Sequence, residues 1–264
     1  MSEPSIAGTF QSLRERGRTA LIPYLTAGYP DLRASEEALR AADEMADLLE
    51  VGVPFSDPLA DGPTIQRSTF QALERGMTLA GTLEMIARCR LQRPVVVFSY
   101  LNPILRYGLE RFLREAADLG VAGLLLTDLP AGSDSGVEDA VRRSPLDLIR
   151  LIAPTTRPER LKIAAKGARG FIYLVARLGV TGATRTLAAD LAESIGRVRE
   201  ATPLPVAVGF GISNAEQAAT VGRLADGVVV GSALVDVLGT GGVASVRRFL
   251  AELRAGLDLA PALA

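Results

Sequence analysis

Glu50 stands inside an otherwise apolar run, Leu48-Leu49-Glu50-Val51-Gly52-Val53. Burying a lone carboxylate is costly, and desolvation raises its proton affinity. That is the condition an acid/base group needs at neutral pH. The structural alternative is an outward-pointing glutamate bonded to a helix or an arginine. Directly after it, Pro54-Phe55-Ser56-Asp57-Pro58-Leu59-Ala60-Asp61-Gly62-Pro63 holds two aspartates in a loop stiffened by three prolines. Turn formation, or capping of the following helix by Asp61, is the plainer use of these residues. Beside Glu50, they offer paired carboxylates for proton transfer.

A second group of residues suits an anion. Gly209-Phe210-Gly211-Ile212-Ser213 and Gly231-Ser232-Ala233 each follow an apolar run, and the second opens a helix-like segment. Glycines allow close backbone approach, and free amides at a helix N-terminus attract phosphate. Gly179-Val180-Thr181-Gly182 has the glycine spacing of a further anion contact or a closing lid. Tyr24, Tyr100 and Tyr173 lie in or at the ends of apolar runs, where a tyrosine is either core or site wall. Asp128 and Cys89 read as a turn cap and a packing residue.

Composition narrows the chemistry further. The 264 residues include no histidine, which excludes every Ser-His-Asp, Cys-His and histidine-metal mechanism. The single cysteine, Cys89, forms no internal disulfide and no cysteine metal cluster. Only Lys162 and Lys166 are available for a Schiff base, and they sit four apart in a polar, helix-like stretch. With 29 basic and 30 acidic residues, the chain carries no field suited to nucleic acid or a membrane surface. Charges interrupt the N-terminus and no apolar stretch has spanning length, so the expectation is a soluble cytoplasmic protein.

The elements that must position these groups follow from periodicity. Eight short apolar runs recur: Leu21–Leu25, Leu48–Val51, Val95–Phe98, Leu124–Leu126, Leu148–Ile152, Phe171–Val175, Val206–Val208 and Val228–Val230. Amphipathic segments lie between them, as where Leu109, Phe112, Leu113 and Ala116 form one stripe, or where Ala38, Leu39, Ala42 and Met45 do. Strands apolar on both faces that alternate with helices mean a parallel sheet. Eight such units in one domain of this length predict a (β/α)8 TIM barrel, with an open doubly wound sheet as the alternative. The two longest steps leave extended loops after strand 2 (Pro54–Thr64, with room for an extra helix) and after strand 6 (Gly179–Thr186). Barrel active sites are built from the loops that follow the strands, so both signals fall where chemistry is expected.

The run from Leu49 to Gln66 closely resembles the signature of the tryptophan synthase alpha chain family. Thr26-Ala27-Gly28-Tyr29-Pro30, Tyr100-Leu101-Asn102-Pro103, Gly179–Gly182, Gly209–Ser213 and Val230–Ala233 match further family motifs, in family order, from about residue 10 to 255. The resemblance implies a lyase that cleaves indole-3-glycerol phosphate to indole and glyceraldehyde 3-phosphate. It implies Glu50 as the catalytic acid/base, Asp61 as partner of the indole N–H, and Tyr173 as support to the active site. Tyr24, Tyr100 and Thr181 would join the substrate site, with Gly182, Phe210, Gly211, Gly231 and Ser232 around the phosphate. It also implies no cofactor in this chain, and a beta chain that carries pyridoxal phosphate, meets the loop at Asp57 and Pro58, and completes an alpha2beta2 assembly. Ala131-Gly132-Ser133-Asp134-Ser135 departs from the family by replacing a more acidic stretch. The alternatives are a stand-alone indole-releasing lyase and a non-catalytic phosphate-binding partner subunit.

Overall fold

The computed structural model describes residues 5–175, 184–209 and 211–259. Its strands are β1 (Ala20–Thr26), β2 (Leu49–Gly52), β3 (Val95–Ser99), β4 (Val121–Leu126), β5 (Asp147–Ile152), β6 (Ile172–Val175), β7 (Val206–Gly209) and β8 (Gly227–Val230). Each strand pairs in parallel with the next. β8 returns to β1 with Leu21 opposite Val228, so the sheet closes into a barrel rather than an open doubly wound sheet. Closure removes both sheet edges.

Helix α1 (Ile6–Glu15) precedes the barrel and α2 (Leu32–Asp43) follows β1. Two helices, α3 (Pro63–Glu74) and α4 (Leu79–Cys89), fill the long step between β2 and β3. Next come α5 (Leu101–Tyr107), α6 (Leu109–Asp118), α7 (Ser135–Arg143), α8 (Pro158–Ala164), α9 (Thr184–Ala201) and α10 (Ala215–Gly222). The last, α11 (Ser232–Asp258), is interrupted at Gly242, whose φ of 66° suits glycine. The loop expected to run to Thr186 gives way to helix at Thr184. Lys162 lies on α8, as helical patterning implied, whereas Lys166 lies in the turn just beyond it.

The core has two compartments. One lies between strands and helices, where Phe112 of α6 and Leu39 of α2 are buried. The other fills the lower lumen, where Ile6, Phe10 and Leu13 of α1 pack with Leu48, Val96, Leu125 and Phe171. The rings of Phe10 and Phe171 are 5.6 Å apart. Fully burying a side chain of this size contributes about 1.5–3 kcal/mol. α1 thus stoppers the end of the barrel where the strands begin, leaving the opposite mouth open.

One buried ion pair shapes that open rim. Arg150, on the outward face of β5, pairs with Glu138 of α7 at 2.9 Å and donates through Nη1 to the Leu129 carbonyl. Glu138 in turn accepts from the Gly132 amide at 2.6 Å, tying down the loop after β4. The Arg150 side chain is only 4% exposed, so removing its partner strands a buried charge. Glu138→Ala is therefore expected to cost about 3–5 kcal/mol in urea unfolding. Arg150→Met should cost less, because Glu138 keeps the Gly132 amide and part of its hydration.

Candidate active site

The open mouth holds a cavity of about 560 Å³, the size of a small-molecule site. Glu50 of β2 projects into it from a position opposite Tyr24 of β1. The residue is 0% exposed, and neither carboxylate oxygen has a hydrogen-bond partner among the described residues. Burial alone pushes its pKa up to about 8. The outward glutamate considered from sequence is therefore not what forms, because the inward face of β2 is the face that carries Leu48, Glu50 and Gly52.

Asp61 lines the same cavity from the loop after β2. Burial raises its pKa to about 6, partly offset by the Tyr100 hydroxyl. That hydroxyl also accepts from the Ala60 amide at 2.8 Å, which fixes the loop against the end of β3. Burial and the Asp61 charge in turn push Tyr100 up to about 12. Asp61 does not cap α3: Gly62 occupies the cap position without a side-chain bond, and Pro63 starts the helix. Instead the Asp61 carbonyl accepts from Gln66 Nε2 at 3.0 Å, and the Pro58 carbonyl accepts from the same group at 3.3 Å. The carboxylate, with the Tyr100 hydroxyl beside it, is left to face the cavity.

Tyr24 and Tyr173 face the lumen, and both are pushed far above the ordinary phenol value. Burial is the largest cause, followed for Tyr24 by Asp61 and for Tyr173 by Glu50. Both hydroxyls thus stay protonated and lie in the field of the two carboxylates. Each depends on a missing side chain: a Cβ on Gly52 would collide with Tyr24 Oη, and one on Gly209 with Tyr173 Oη. Tyr24 also packs edge-on against Phe98 of β3, centroids 5.3 Å apart. Across the mouth, Gly231 and Ser232 form the N-terminus of α11, where no side chain caps the helix, and line the cavity with Gly211 and Ser213.

The sequence-derived site is therefore brought together at Glu50, Asp61, Tyr24, Tyr173, Gly211, Gly231 and Ser232, all of which line one cavity. Tyr100 supports it from behind. Thr181, Gly182 and Phe210 lie outside the described residues. Of the expected partner contacts, Asp57 is exposed but Pro58 is buried, its carbonyl held by Gln66. Leu59, 91% exposed, is the apolar group that the loop presents to solvent instead. Asp128 caps α5 by accepting from the Leu101 amide, and Cys89 packs on α4. Sequence reasoning passed over Phe98, Thr127, Leu151 and Asp236, which also line the cavity. Strand parity at the end of β3, β4 and β5 would have found the first three.

A (β/α)8 barrel whose open mouth brings two carboxylates of raised proton affinity together with an uncapped helix terminus is the architecture of a barrel enzyme equipped for carboxylate acid–base chemistry. A family model for the tryptophan synthase alpha chain matches residues 10–255. The chain is 45% identical over 258 residues to the tryptophan synthase alpha chain of Picosynechococcus, covering 95% of this chain and 98% of that one. It is 50% identical over 233 residues to that of Citrifermentans bemidjiense, covering 87% of each. A structure of Mycobacterium tuberculosis tryptophan synthase superposes with a TM-score of 0.87 at 41% identity, over 97% of this chain and 99% of the other. Tryptophan synthase subunit alpha from Legionella pneumophila gives 0.88 at 32%, over 98% and 100%. The chain belongs to the tryptophan synthase alpha chain family and is a lyase of tryptophan biosynthesis.

Glu50 sets a pH signature on stability. Between about pH 4.5 and 8 the unfolded chain has released this proton while the folded chain retains it, so the native state loses stability as pH rises through that window. Below the window both states are protonated and nothing is lost. Glu50→Gln is expected to match the wild type near pH 4.5 and to exceed it by a few kcal/mol at pH 8 and above, measured by denaturant unfolding across pH.

Proposed function

We propose that this chain cleaves indole-3-glycerol phosphate by a retro-aldol reaction, releasing indole and glyceraldehyde 3-phosphate. The observation that carries this reading is the pairing, in one cavity, of a buried Glu50 without a hydrogen-bond partner among the described residues, near pKa 8, with Asp61 near pKa 6. Near pH 7 the first is a neutral acid and the second an anion, two roles set by environment.

Glu50 gives its proton to C3 of the indole ring. The positive charge that develops at the ring nitrogen is stabilised by ionised Asp61, which accepts from the N–H. Glu50, now a carboxylate, takes the proton from the side-chain hydroxyl next to the ring. The bond between ring and side chain breaks, its electrons return to the ring to restore indole, and the hydroxyl carbon becomes the aldehyde. Glu50 ends the cycle protonated.

The amides of Gly211, Gly231 and Ser232 form the phosphate seat, extended by Thr181, Gly182 and Phe210 on the family pattern. A bound dianion orients the scissile bond and supplies binding energy remote from the chemistry. Tyr24 and Tyr173 wall the ring site, and burial of both keeps competing water out. The exposed Asp57 and Leu59 suit contact with a beta chain in an alpha2beta2 assembly, since a fully exposed leucine on an ordered loop gains most by being covered. A stand-alone lyase differs in one measurable respect: adding a beta chain leaves its indole production unchanged.

Glu50→Gln is expected to lower kcat for indole formation by about 10²–10⁴-fold with substrate binding retained. Asp61→Asn should produce a comparable loss, because an amide cannot offset the ring charge. In the wild type, kcat/KM should follow a bell with limbs near pH 6 and 8, rising as Asp61 ionises and falling as Glu50 loses its proton. Full turnover by either variant would remove that residue from the mechanism.

A further inference from the structure

Asp236 is out of keeping with its surroundings. It lies on α11 just past the helix's first turn and lines the cavity at the end proposed to hold an anion, where another negative charge is unfavourable. Its two oxygens are engaged elsewhere. Oδ2 accepts from Thr64 Oγ1 at 3.1 Å and Oδ1 from Arg67 Nη2 at 2.6 Å, both on α3. α3 is the helix that follows the Asp61 loop, and between Thr64 and Arg67 it carries Gln66, whose amide holds the carbonyls of Pro58 and Asp61. A mechanical path therefore runs from the helix terminus at Gly231–Ser232 along α11 to Asp236, across two polar contacts to α3, and from Gln66 of α3 to the backbone of Asp61.

We propose that Asp236 is a positioning residue that, by gripping Thr64 and Arg67, holds the Asp61 loop in register with the anion seat at the N-terminus of α11. The inference rests on the reading of Asp61 and the phosphate seat given above. Arg67 serves two ends: it bridges the helices, and it neutralises Asp236 so that the carboxylate does not repel the phosphate. The Asp236 and Arg67 side chains are 48% and 60% exposed, and an ion pair this exposed adds little to folding. The value of the contact is therefore geometric, since displacing Asp61 by a fraction of an ångström weakens its hold on the ring nitrogen at the moment of charge development.

The test uses the purified full chain, with steady-state indole formation, inorganic phosphate as the binding probe and thermal melting. Asp236→Ala is expected to lower kcat about tenfold, with the Kd for inorganic phosphate within twofold of wild type or tighter, and melting nearly unchanged. Asp236→Asn keeps an oxygen acceptor and should restore kcat to within about threefold of wild type. Adding Arg67→Ala to Asp236→Ala should cost little more than Asp236→Ala alone. An unchanged kcat in Asp236→Ala, a phosphate affinity that falls in step with kcat, or fully additive losses in the double variant would each overturn the proposal. Asp61→Asn separates the layers: if it abolishes turnover while Asp236→Ala is silent, only the bridge is wrong. If Asp61→Asn is fully active, the reading beneath falls and the bridge with it.

Discussion

The molecule is organised around the cost of placing one carboxyl group in a closed lumen without a partner. Among the described residues Glu50 meets neither arginine, lysine nor backbone amide, and the barrel withholds solvation from it. That single choice sets the proton on Glu50 near neutral pH, and the same burial raises both neighbouring tyrosines. It also requires a fold rigid enough that the side chain cannot swing out to water. A parallel barrel with apolar faces on both sides of every strand meets the requirement. So does the stopper of Ile6, Phe10 and Leu13, which closes the lower end to water.

Asp61 is tuned by different means. It sits on a loop rather than a strand, and its pKa rises less because the Tyr100 hydroxyl partly compensates its burial. Three constraints hold that loop: Tyr100 on the Ala60 amide, Gln66 on two carbonyls, and the prolines that restrict φ. The two acids thus acquire different protonation states from one cavity, the strand residue by exclusion of solvent and the loop residue by tethering at its rim.

Much of this was legible in the residues. The eight strands fall where the apolar runs lie, within three residues at either end, because a strand buried on both faces leaves no alternation to misread. Gly211 and Gly231 ended up on the cavity rim because close backbone approach has few other uses at a strand end. Closure was a different matter. Nothing in the local pattern separates a barrel from an open doubly wound sheet, and the pairing of Leu21 with Val228 decides it over 207 positions of sequence. Asp236 was missed for a related reason: it reads as an ordinary polar position on a helix, and only the packing of α11 beside α3 gives it Thr64 and Arg67. Pro58 looked like a surface turn residue and is buried, since the Gln66 bonds that draw its segment inward come from the following helix.

The tyrosines above Gly52 and Gly209 carry a consequence for evolution of this pocket. Each phenol occupies space that the adjacent strand vacates by having no side chain. The width of the chamber is thus written in two positions that contribute no surface chemistry of their own. A methyl group at either would evict a ring into the chamber and shrink its admissible guest. Selectivity for a bulky bicyclic guest can therefore drift or be re-engineered through residues that never contact it.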